Sequence, residues 1–334
     1  MSSDGFADAI VETPFVSTGR LPSADVTRAL VSDAHQRFSS NRDGRVSDVY
    51  PALASVPQDL FGLCVAGVSG ATYASGDCDT PFSIMSVSKP FVFALILQVL
   101  GAEAARKRLG VNATGLPFNS LAAIERSDDG RTNPMVNSGA IAATSLAPGS
   151  TIEEQWRFIL DGLSQFAGRR LSMNDAVFAS ATESNSRNQA IGQLLRNCGQ
   201  IAIEPAHAVD LYTRQCSLNV TAKDLAIMGA TLADGGVNPL TRERVVDAES
   251  CKYTLAVMAT AGLYETSGDW LYDVGLPAKS GISGGIVTVS PGKGGFGAFA
   301  PRLDDAGNSV KGQLAARFLS ERLGLSLFAS QAEP

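Results

Sequence analysis

Hydrophobic positions follow two different periodicities along the chain, and these periodicities predict where helices and strands lie. The segment 91–97 is apolar on every face, which predicts a helix buried inside the protein. Other stretches place apolar residues at helical spacing. These predicted helices are 25–38, 156–166, 190–195, 221–236 and 313–323. Ser150 and Glu153 fit a capping box, which predicts the start of the helix that continues to Phe166.

Strand patterns occur near both ends of the chain. The segment 59–75 is typical of a hairpin that turns at 68–70, and 285–290 and 297–300 flank a glycine-rich turn. Because mostly helical sequence separates the two hairpins, we predict an α+β fold with one antiparallel sheet built from both chain ends. Helices should flank this sheet, and an inserted helical lobe should form a crevice with it that holds the site.

The predicted organisation is a loose arm over 1–22 followed by one catalytic domain over 23–330. The sheet lobe is expected from about 44–80 and 250–330, and the helical lobe from about 85–248. No sequence repeat or charge block suggests a further division.

Composition narrows the possible partners. The 334 residues carry a formal net charge of −6 without a basic cluster, which argues against a nucleic-acid surface. The apolar run after Lys89 is interrupted by Gln98 and Gly101, so it is too short to span a membrane. The first residues lack a secretory pattern, and five cysteines without short spacing suggest reduced thiols, so a cytoplasmic protein is expected. The expected partner is a small molecule.

The two histidines exclude several chemistries. Neither His35 nor His207 lies in a metal-ligand spacing, so we expect no metal. No G-x-S-x-G motif accompanies them, which argues against a Ser-His-Asp hydrolase. Lysine is the best remaining candidate for a general base.

Ser86 and Lys89 are the main catalytic candidates. One helical turn places the two side chains on the same face, at the head of the buried apolar segment. A dry site keeps a lysine amine neutral, and a neutral amine can accept the proton of a serine nucleophile. The same S-x-x-K pattern occurs in β-lactamases and penicillin-binding proteins, where the serine is acylated.

Several further motifs place polar side chains among glycines and small residues. They are N-P-M-V-N-S-G-A-I at 133–141, E-S-N-S-R-N at 183–188, D-L-Y at 210–212, G-L-Y-E-T-S-G at 262–268, L-P-A-K-S-G at 276–281 and G-N-S-V-K-G at 307–312. From about 44 to 327 the chain resembles the serine-dependent glutaminases. The resemblance implies the β-lactamase-like fold, L-glutamine as substrate, no metal or organic cofactor, and a homodimer or homotetramer.

The resemblance also implies roles for individual residues. Ser86 would be the nucleophile, Lys89 its base, and Tyr264 a phenol that relays a proton to the departing ammonia. Ile282 stands where the family has a valine whose backbone N–H joins that of Ser86 in the oxyanion hole. The change of side chain is tolerable because only the amide is used. Three further positions match glutamine-binding residues of the family: Asn137, Asn188 and Tyr212.

Two positions depart from the family pattern. The family usually has a glutamate seven residues before the asparagine that matches Asn188, but this chain has Ala181 there. Glu183 is the only nearby carboxylate, and we expect it to pair with the substrate ammonium. The family's Tyr-Ile-Pro is replaced by Val-Tyr-Pro, so Tyr50 is displaced by one residue and is kept as a binding candidate.

The sequence therefore predicts a glutamine amidohydrolase that works through a serine acyl-enzyme. One alternative is a β-lactam or peptide hydrolase on the same fold, although its substrate lies outside the cytoplasm and no secretory pattern is present. The other is an inactive amino-acid-binding homologue, which the displaced Glu183 and Tyr50 favour and the intact Ser86, Lys89 and Tyr264 oppose.

Overall fold

The computed structural model describes residues 20–330, and within them the chain forms an α+β architecture. The helices are α1 (Ala24–Phe38), α2 (Pro51–Ala54), α3 (Ser88–Leu100), α4 (Ala102–Leu109), α5 (Ala122–Glu125), α6 (Asn137–Thr144), α7 (Ile152–Ala167), α8 (Asp175–Glu183), α9 (Ser186–Asn197), α10 (Pro205–Cys216), α11 (Ala222–Ala233), α12 (Ala248–Ala261), α13 (Ser267–Asp273) and α14 (Val310–Leu323). Short 3₁₀ turns cover Met85–Val87 and Tyr264–Thr266. None of the helices described is both long and apolar enough to cross a bilayer.

The strands form one large sheet and two small ones. They are β1 (Arg45–Val46), β2 (Gly62–Gly67), β3 (Thr72–Gly76), β4 (Phe82–Ser83), β5 (Ser172–Met173), β6 (Leu218–Val220), β7 (Ala278–Ser280), β8 (Gly285–Ser290), β9 (Gly294–Phe299) and β10 (Arg302–Leu303). The large sheet has the order β3-β2-β9-β8-β7 and is antiparallel throughout. Strands from the two chain ends meet where β2 pairs with β9, which confirms the predicted sheet.

The small sheets were not predicted. One pairs β1 with β10, and the other has the order β4-β6-β5 inside the mostly helical middle of the chain. Each of these strands has only two or three residues. Such segments are too short to show the alternation that identifies a strand.

The large sheet is covered on both faces. Phe61, Leu63 and Val65 share one apolar cluster with residues of α1 and α14. Cys64 and Ala66 instead join Ala226, Ile227 and Ala230 of α11 on the opposite face. This alternation with a period of two is why β2 is buried along its whole length, and it leaves the sheet between two helical layers.

Glycines let α11 lie unusually close to β9. A Cβ at Gly295 would lie 2.3 Å from the Ala226 carbonyl oxygen, and one at Gly297 would lie 2.1 Å from the Ala222 carbonyl oxygen. Neither helix backbone atom can move without displacing α11. The glycines of β9 therefore set the distance between the sheet and the helical lobe.

The predicted buried helix is α3, in which every residue from Ser88 to Leu97 is buried. The predicted capping box was wrong by one residue. The first residue of the box is Thr151, whose side chain accepts from the Glu154 backbone N–H, while Glu154 accepts from the Thr151 backbone N–H. Thr151 has the extended backbone that an N-cap requires, with φ −127° and ψ 158°. Most of the predicted arm lies outside the described residues, and the division into two lobes stays a prediction.

We expect Gly297→Ala to lower the free energy of unfolding by about 1–3 kcal/mol, because the new methyl group overpacks the contact with α11. Gly268 on α13 is the matched control, since a Cβ there meets nothing within 4 Å. Gly268→Ala should leave stability unchanged or raise it by up to about 1 kcal/mol. Urea denaturation measures both changes, and equal stability of the two variants would contradict the close packing.

Candidate active site

Ser86 lies on the 3₁₀ turn that joins β4 to the buried helix α3. The residue before it, Met85, has φ +47°, which is a left-handed conformation that side chains rarely adopt. Such a backbone costs on the order of 1–3 kcal/mol and is found preferentially at functional sites. Ser86 itself is 7% exposed and lines a pocket, so its hydroxyl is both restrained and accessible.

Lys89 lies one turn further along, and its amine is fully buried. Its Nζ donates to Asn137 Oδ1 at 2.7 Å and to the Met135 carbonyl oxygen at 3.3 Å. Burial disfavours the charged form and lowers the pKa of Lys89 to about 7. A neutral amine has two hydrogens, which these two acceptors can take. Its lone pair then remains available for a proton.

No hydrogen bond joins Ser86 Oγ to Lys89 Nζ among the contacts of the described chain. The Tyr264 phenol lies close enough to Ser86 for the serine to offset part of the rise in pKa that burial causes in this phenol. Catalytic hydrogen bonds are often longer in a free enzyme and tighten when substrate is bound. Because Ser86 and Lys89 are one helical turn apart, a small shift is enough to bring the hydroxyl and the amine together.

Tyr264 and Lys279 form a buried pair of ionisable side chains. The Tyr264 hydroxyl donates to the Ser280 carbonyl oxygen at 3.2 Å, and burial raises the pKa of this phenol to about 12. Lys279 Nζ lies 4.2 Å from the centre of the Tyr264 ring and donates to the same carbonyl and to that of Gly262. Burial lowers the pKa of Lys279 well below its usual value. Lys279 thus holds the segment against which Tyr264 is positioned.

Ile282 follows β7 and lies in the same pocket as Ser86. The preceding Gly281 packs directly on the nucleophile turn, since a Cβ there would lie 3.1 Å from the Ile84 carbonyl oxygen and 3.3 Å from Met85 Cβ. The two backbone segments proposed for the oxyanion hole are therefore neighbours. The role of the Ile282 amide stays a prediction.

A chain of side-chain amides forms the polar wall of the pocket. Asn137 Nδ2 donates to Asn188 Oδ1 at 2.9 Å, and Asn188 Nδ2 donates to Asn185 Oδ1 at 2.7 Å. The Tyr212 hydroxyl donates to Asn137 Oδ1 at 3.0 Å, the same oxygen that accepts from Lys89. Residues from α3, α6, α9 and α10 are thereby held in one network. Each amide is fixed before any substrate binds.

The pocket collects most of the predicted site residues. Ser86, Ile282 and Tyr50 line this cavity of ≈ 100 Å³. The predicted binding residues Asn137, Asn188 and Tyr212 line it too. A larger cavity of ≈ 560 Å³ beside α4 contains none of the predicted residues. The smaller cavity is therefore the candidate active site, because the predicted residues line it.

Glu183 is placed differently from the expectation. It is exposed at the end of α8 and does not line the pocket, whereas Ala181 does. Two residues on a helix are separated by roughly 200° around its axis, so Ala181 and Glu183 point in nearly opposite directions. The pairing of Glu183 with the substrate stays a prediction that this geometry does not favour.

Sequence reasoning gave no role to three residues at the site. Lys279 lies in a motif that was recognised without a role for its lysine, and Asn185 lies within another such motif. Phe118 had no signal at all, although its ring packs 4.7 Å from that of Tyr264 and its carbonyl accepts from the Asn137 N–H at 2.8 Å. Within residues 20–330, no cluster of three or more His, Cys, Asp or Glu side chains could hold a metal.

Comparison with known proteins agrees with this geometry. The family model described as Glutaminase matches residues 44–328. The chain belongs to the glutaminase family. It is 63% identical to Glutaminase 2 of Yersinia pestis over 99% of this chain and 97% of that protein. It is 46% identical to a glutaminase of Brucella canis over 93% and 98% of the respective chains.

Solved glutaminase structures show the same fold. The probable glutaminase ybaS superposes with a TM-score of 0.91 at 42% identity, covering 92% of this chain and all of that one. A probable glutaminase from Bacillus subtilis, complexed with 6-diazo-5-oxo-L-norleucine, has a TM-score of 0.81 at 28% identity and covers 94% and 99%. This family member therefore has the β-lactamase-like fold that its motifs predicted.

If Lys89 is the base that accepts the Ser86 proton, kcat/KM should rise with pH through a midpoint near 7, because only the neutral amine can accept a proton. The Tyr264 phenol, with a pKa of about 12, stays protonated over the same range. The profile is obtained by measuring the rate of ammonia release between pH 5 and pH 9 in steps of about half a pH unit. A flat profile from pH 6 to pH 9 would contradict a titrating base.

A substitution beside Lys89 identifies the group that titrates. Asn137→Asp places a carboxylate 2.7 Å from the Lys89 amine, which favours the charged form and raises its pKa. The midpoint of the residual activity should move upward by about one pH unit or more. The measurement is the position of the midpoint, so a lower overall rate does not obscure it. An unchanged midpoint would assign the titration to another group.

Proposed function

We propose that this protein hydrolyses the side-chain amide of L-glutamine to L-glutamate and ammonia through a serine acyl-enzyme. The observation that carries the proposal is the buried Lys89 amine, one turn after Ser86 and bonded to the amide network of the same pocket. The names of the relatives agree, since glutaminases match this chain over nearly its whole length. The reaction needs no metal or organic cofactor.

The residues suggest a sequence of steps. Ser86 Oγ attacks the side-chain carbonyl carbon while Lys89 accepts the hydroxyl proton. The negative charge that develops on the carbonyl oxygen is stabilised by the backbone N–H groups of Ser86 and Ile282. Tyr264, which remains protonated, relays a proton to the departing ammonia. Water then hydrolyses the ester and restores Ser86.

The side chains of the polar wall are the groups that would bind the substrate. Asn137, Asn188 and Tyr212 present fixed donors and acceptors to the polar groups of the substrate. Tyr50 lines the same cavity just before α2 and can contact the substrate there. Because Asn137 also contacts Lys89, substrate binding and the base are coupled through one side chain.

We also propose a cytoplasmic protein and a homodimer or homotetramer. All five cysteines are free thiols, which suits a reducing compartment. The oligomer rests on family membership, and light scattering after size-exclusion chromatography measures it. A monomer at micromolar concentration would contradict it.

Ser86→Ala should lower ammonia release from L-glutamine by at least about a thousandfold, since the covalent step needs the hydroxyl. Thermal shift in the presence of L-glutamine tests whether the variant still folds and binds. If it kept about a tenth of the wild-type rate, the serine mechanism would be wrong. Activity on a chromogenic β-lactam, but not on glutamine, would favour the penicillin-recognising alternative.

The glutamine-like electrophile 6-diazo-5-oxo-L-norleucine should label Ser86 in the wild-type protein. Peptide mass spectrometry locates the adduct, and Ser86→Ala provides the unlabelled control. Cys216 lines the same pocket, but burial raises the pKa of its thiol, so it should remain unmodified. An adduct on Cys216 and none on Ser86 would sink the assignment.

A further inference from the structure

L-Glutamine brings an α-ammonium group into the pocket, and the pocket must provide acceptors for it. This group loses part of its hydration on binding, which is costly unless anions or hydrogen-bond acceptors face it. Among the described residues that line the pocket, none is Asp or Glu. Uncharged oxygen atoms of the lining are therefore the groups that can receive the ammonium hydrogens.

The amide network of the described chain leaves two side-chain amide oxygens with a free lone pair. An amide oxygen can accept two hydrogen bonds. Asn137 Oδ1 is saturated, because Lys89 Nζ and the Tyr212 hydroxyl both donate to it. Asn188 Oδ1 accepts one bond, from Asn137 Nδ2, and Asn185 Oδ1 accepts one, from Asn188 Nδ2. Asn188 and Asn185 are thus the amides of this network that can still accept from a ligand.

The orientation of the Asn185 amide is fixed by a second neighbour. The Thr213 hydroxyl donates to the Val209 carbonyl oxygen at 2.7 Å, so toward the Asn185 side chain it can only accept. Asn185 Nδ2 donates to this hydroxyl at 2.8 Å. The amide oxygen of Asn185 must therefore lie on the side of Asn188, and both residues line the pocket.

Asn185 does not serve as a helix cap, although it occupies the cap position. It is the N-cap of α9, where an asparagine side chain ordinarily accepts from a backbone N–H of the first turn. No such bond is made, and Asn185 Oδ1 accepts from the side chain of Asn188 instead. The residue is 6% exposed, so water competes little for this oxygen. Helix capping therefore does not explain the asparagine.

Asn185 lies at the end of the network that is remote from the reacting groups. The network begins where Lys89 donates to Asn137. Asn188 follows, and Asn185 comes last. In the proposed reaction the side-chain amide of glutamine lies at Ser86, and the α-ammonium is at the other end of the substrate. The order of polar groups along the wall thus matches their order along the substrate.

The chain just before Asn185 offers no comparable acceptor. Ala181 lines the pocket with a methyl group. Ser184 lines it too but is exposed, so water competes for its hydroxyl. Glu183 is exposed and does not line the pocket. Asn185 is the buried polar side chain of this segment.

We propose that Asn185 is a further substrate-binding residue, whose Oδ1 accepts a hydrogen bond from the α-ammonium of L-glutamine. The proposal rests on the glutaminase function stated above and adds a residue to its binding site. Such a charge-assisted hydrogen bond favours substrates with a free α-amino group. Because the ammonium is remote from the bond that breaks, the contact affects substrate binding and not the chemical step.

The first experiment measures ammonia release from L-glutamine by two variants of Asn185. Asn185→Ala removes the acceptor, so KM should rise by about tenfold or more while kcat stays within about threefold of the wild-type value. Asn185→Asp presents a carboxylate to the ammonium, so KM should remain at or below the wild-type value. If Asn185→Asp raised KM as much as Asn185→Ala does, the residue would be structural and the proposal would be wrong.

Asn197→Asp is the matched control for the added charge. Asn197 is the last residue of α9 and is exposed, so this variant makes the same chemical change on the same helix outside the pocket. It should change KM by less than about threefold. A fall in KM equal to that of Asn185→Asp would assign the effect to net charge and overturn the proposal.

The second experiment removes the ammonium from the ligand. Glutarate is L-glutamate without its α-ammonium, and both are tested as competitive inhibitors of glutamine hydrolysis. Glutarate should inhibit the wild type at least about tenfold more weakly than L-glutamate. Asn185→Ala should reduce this difference by about threefold or more, and Asn185→Asp should increase it. Equal inhibition of the wild type by the two compounds, or one unchanged ratio in all three proteins, would contradict the proposal.

These measurements separate the proposal from the function on which it rests. If the wild type and Ser86→Ala released ammonia from L-glutamine at the same rate, the serine hydrolase function would fail. If release depends on Ser86 but Glu183→Gln abolishes the preference for L-glutamate over glutarate, Glu183 holds the ammonium and only the role of Asn185 fails. If Asn185→Ala does not fold, Asn185→Asp decides alone, because an unchanged or lower KM is expected only of a contact with the ammonium.

Discussion

The burial of one amine is the constraint on which the active site depends. Lys89 can act as the predicted base only in its neutral form, and burial on the apolar, enclosed helix α3 makes that form accessible by lowering the pKa to about 7. The oxygen atoms that it contacts belong to Met135 and to the side chain of Asn137, neither of which carries a charge. A carboxylate at either place would restore the charged form. The core around α3 is therefore part of the chemistry and not only of stability.

The site joins two halves of the molecule that have different tasks. Helices between β4 and β7 carry the amide network, while the turn after β7 and the segment around Tyr264 carry the groups that are predicted to bind the oxyanion and to transfer the proton. Gly281 packed on the turn before Ser86 fixes their separation. Two of the three non-glycine residues with positive φ in residues 20–330, Met85 and Tyr264, lie at this junction. The strain is concentrated where reacting atoms must be held.

Much of this arrangement could be predicted from the sequence. The parts that could not be predicted were missed for physical reasons. The hairpin alternation and the uniformly apolar 91–97 identified the sheet and the buried helix, because long segments average over local exceptions. The capping box was misplaced by one residue, since Ser150 and Thr151 are both good caps and only the backbone decides between them. Glu183 was expected in the pocket because it is close to Ala181 along the chain. Two residues that are two positions apart on a helix nevertheless point in nearly opposite directions. Phe118 came from an irregular loop without any period to reveal it.

The order of strands in the large sheet has a consequence for synthesis of the chain on the ribosome. β2 emerges early and is followed directly by its partner β3, but its other neighbour, β9, is among the last segments to be made. At about 5–20 residues per second, the free edge of β2 waits on the order of ten seconds or more for its partner. Throughout that interval the nascent protein presents an apolar strand with unpaired N–H and C=O groups, a template for pairing with a neighbouring copy. The strand order thus leaves this edge without its partner until most of the chain has been made.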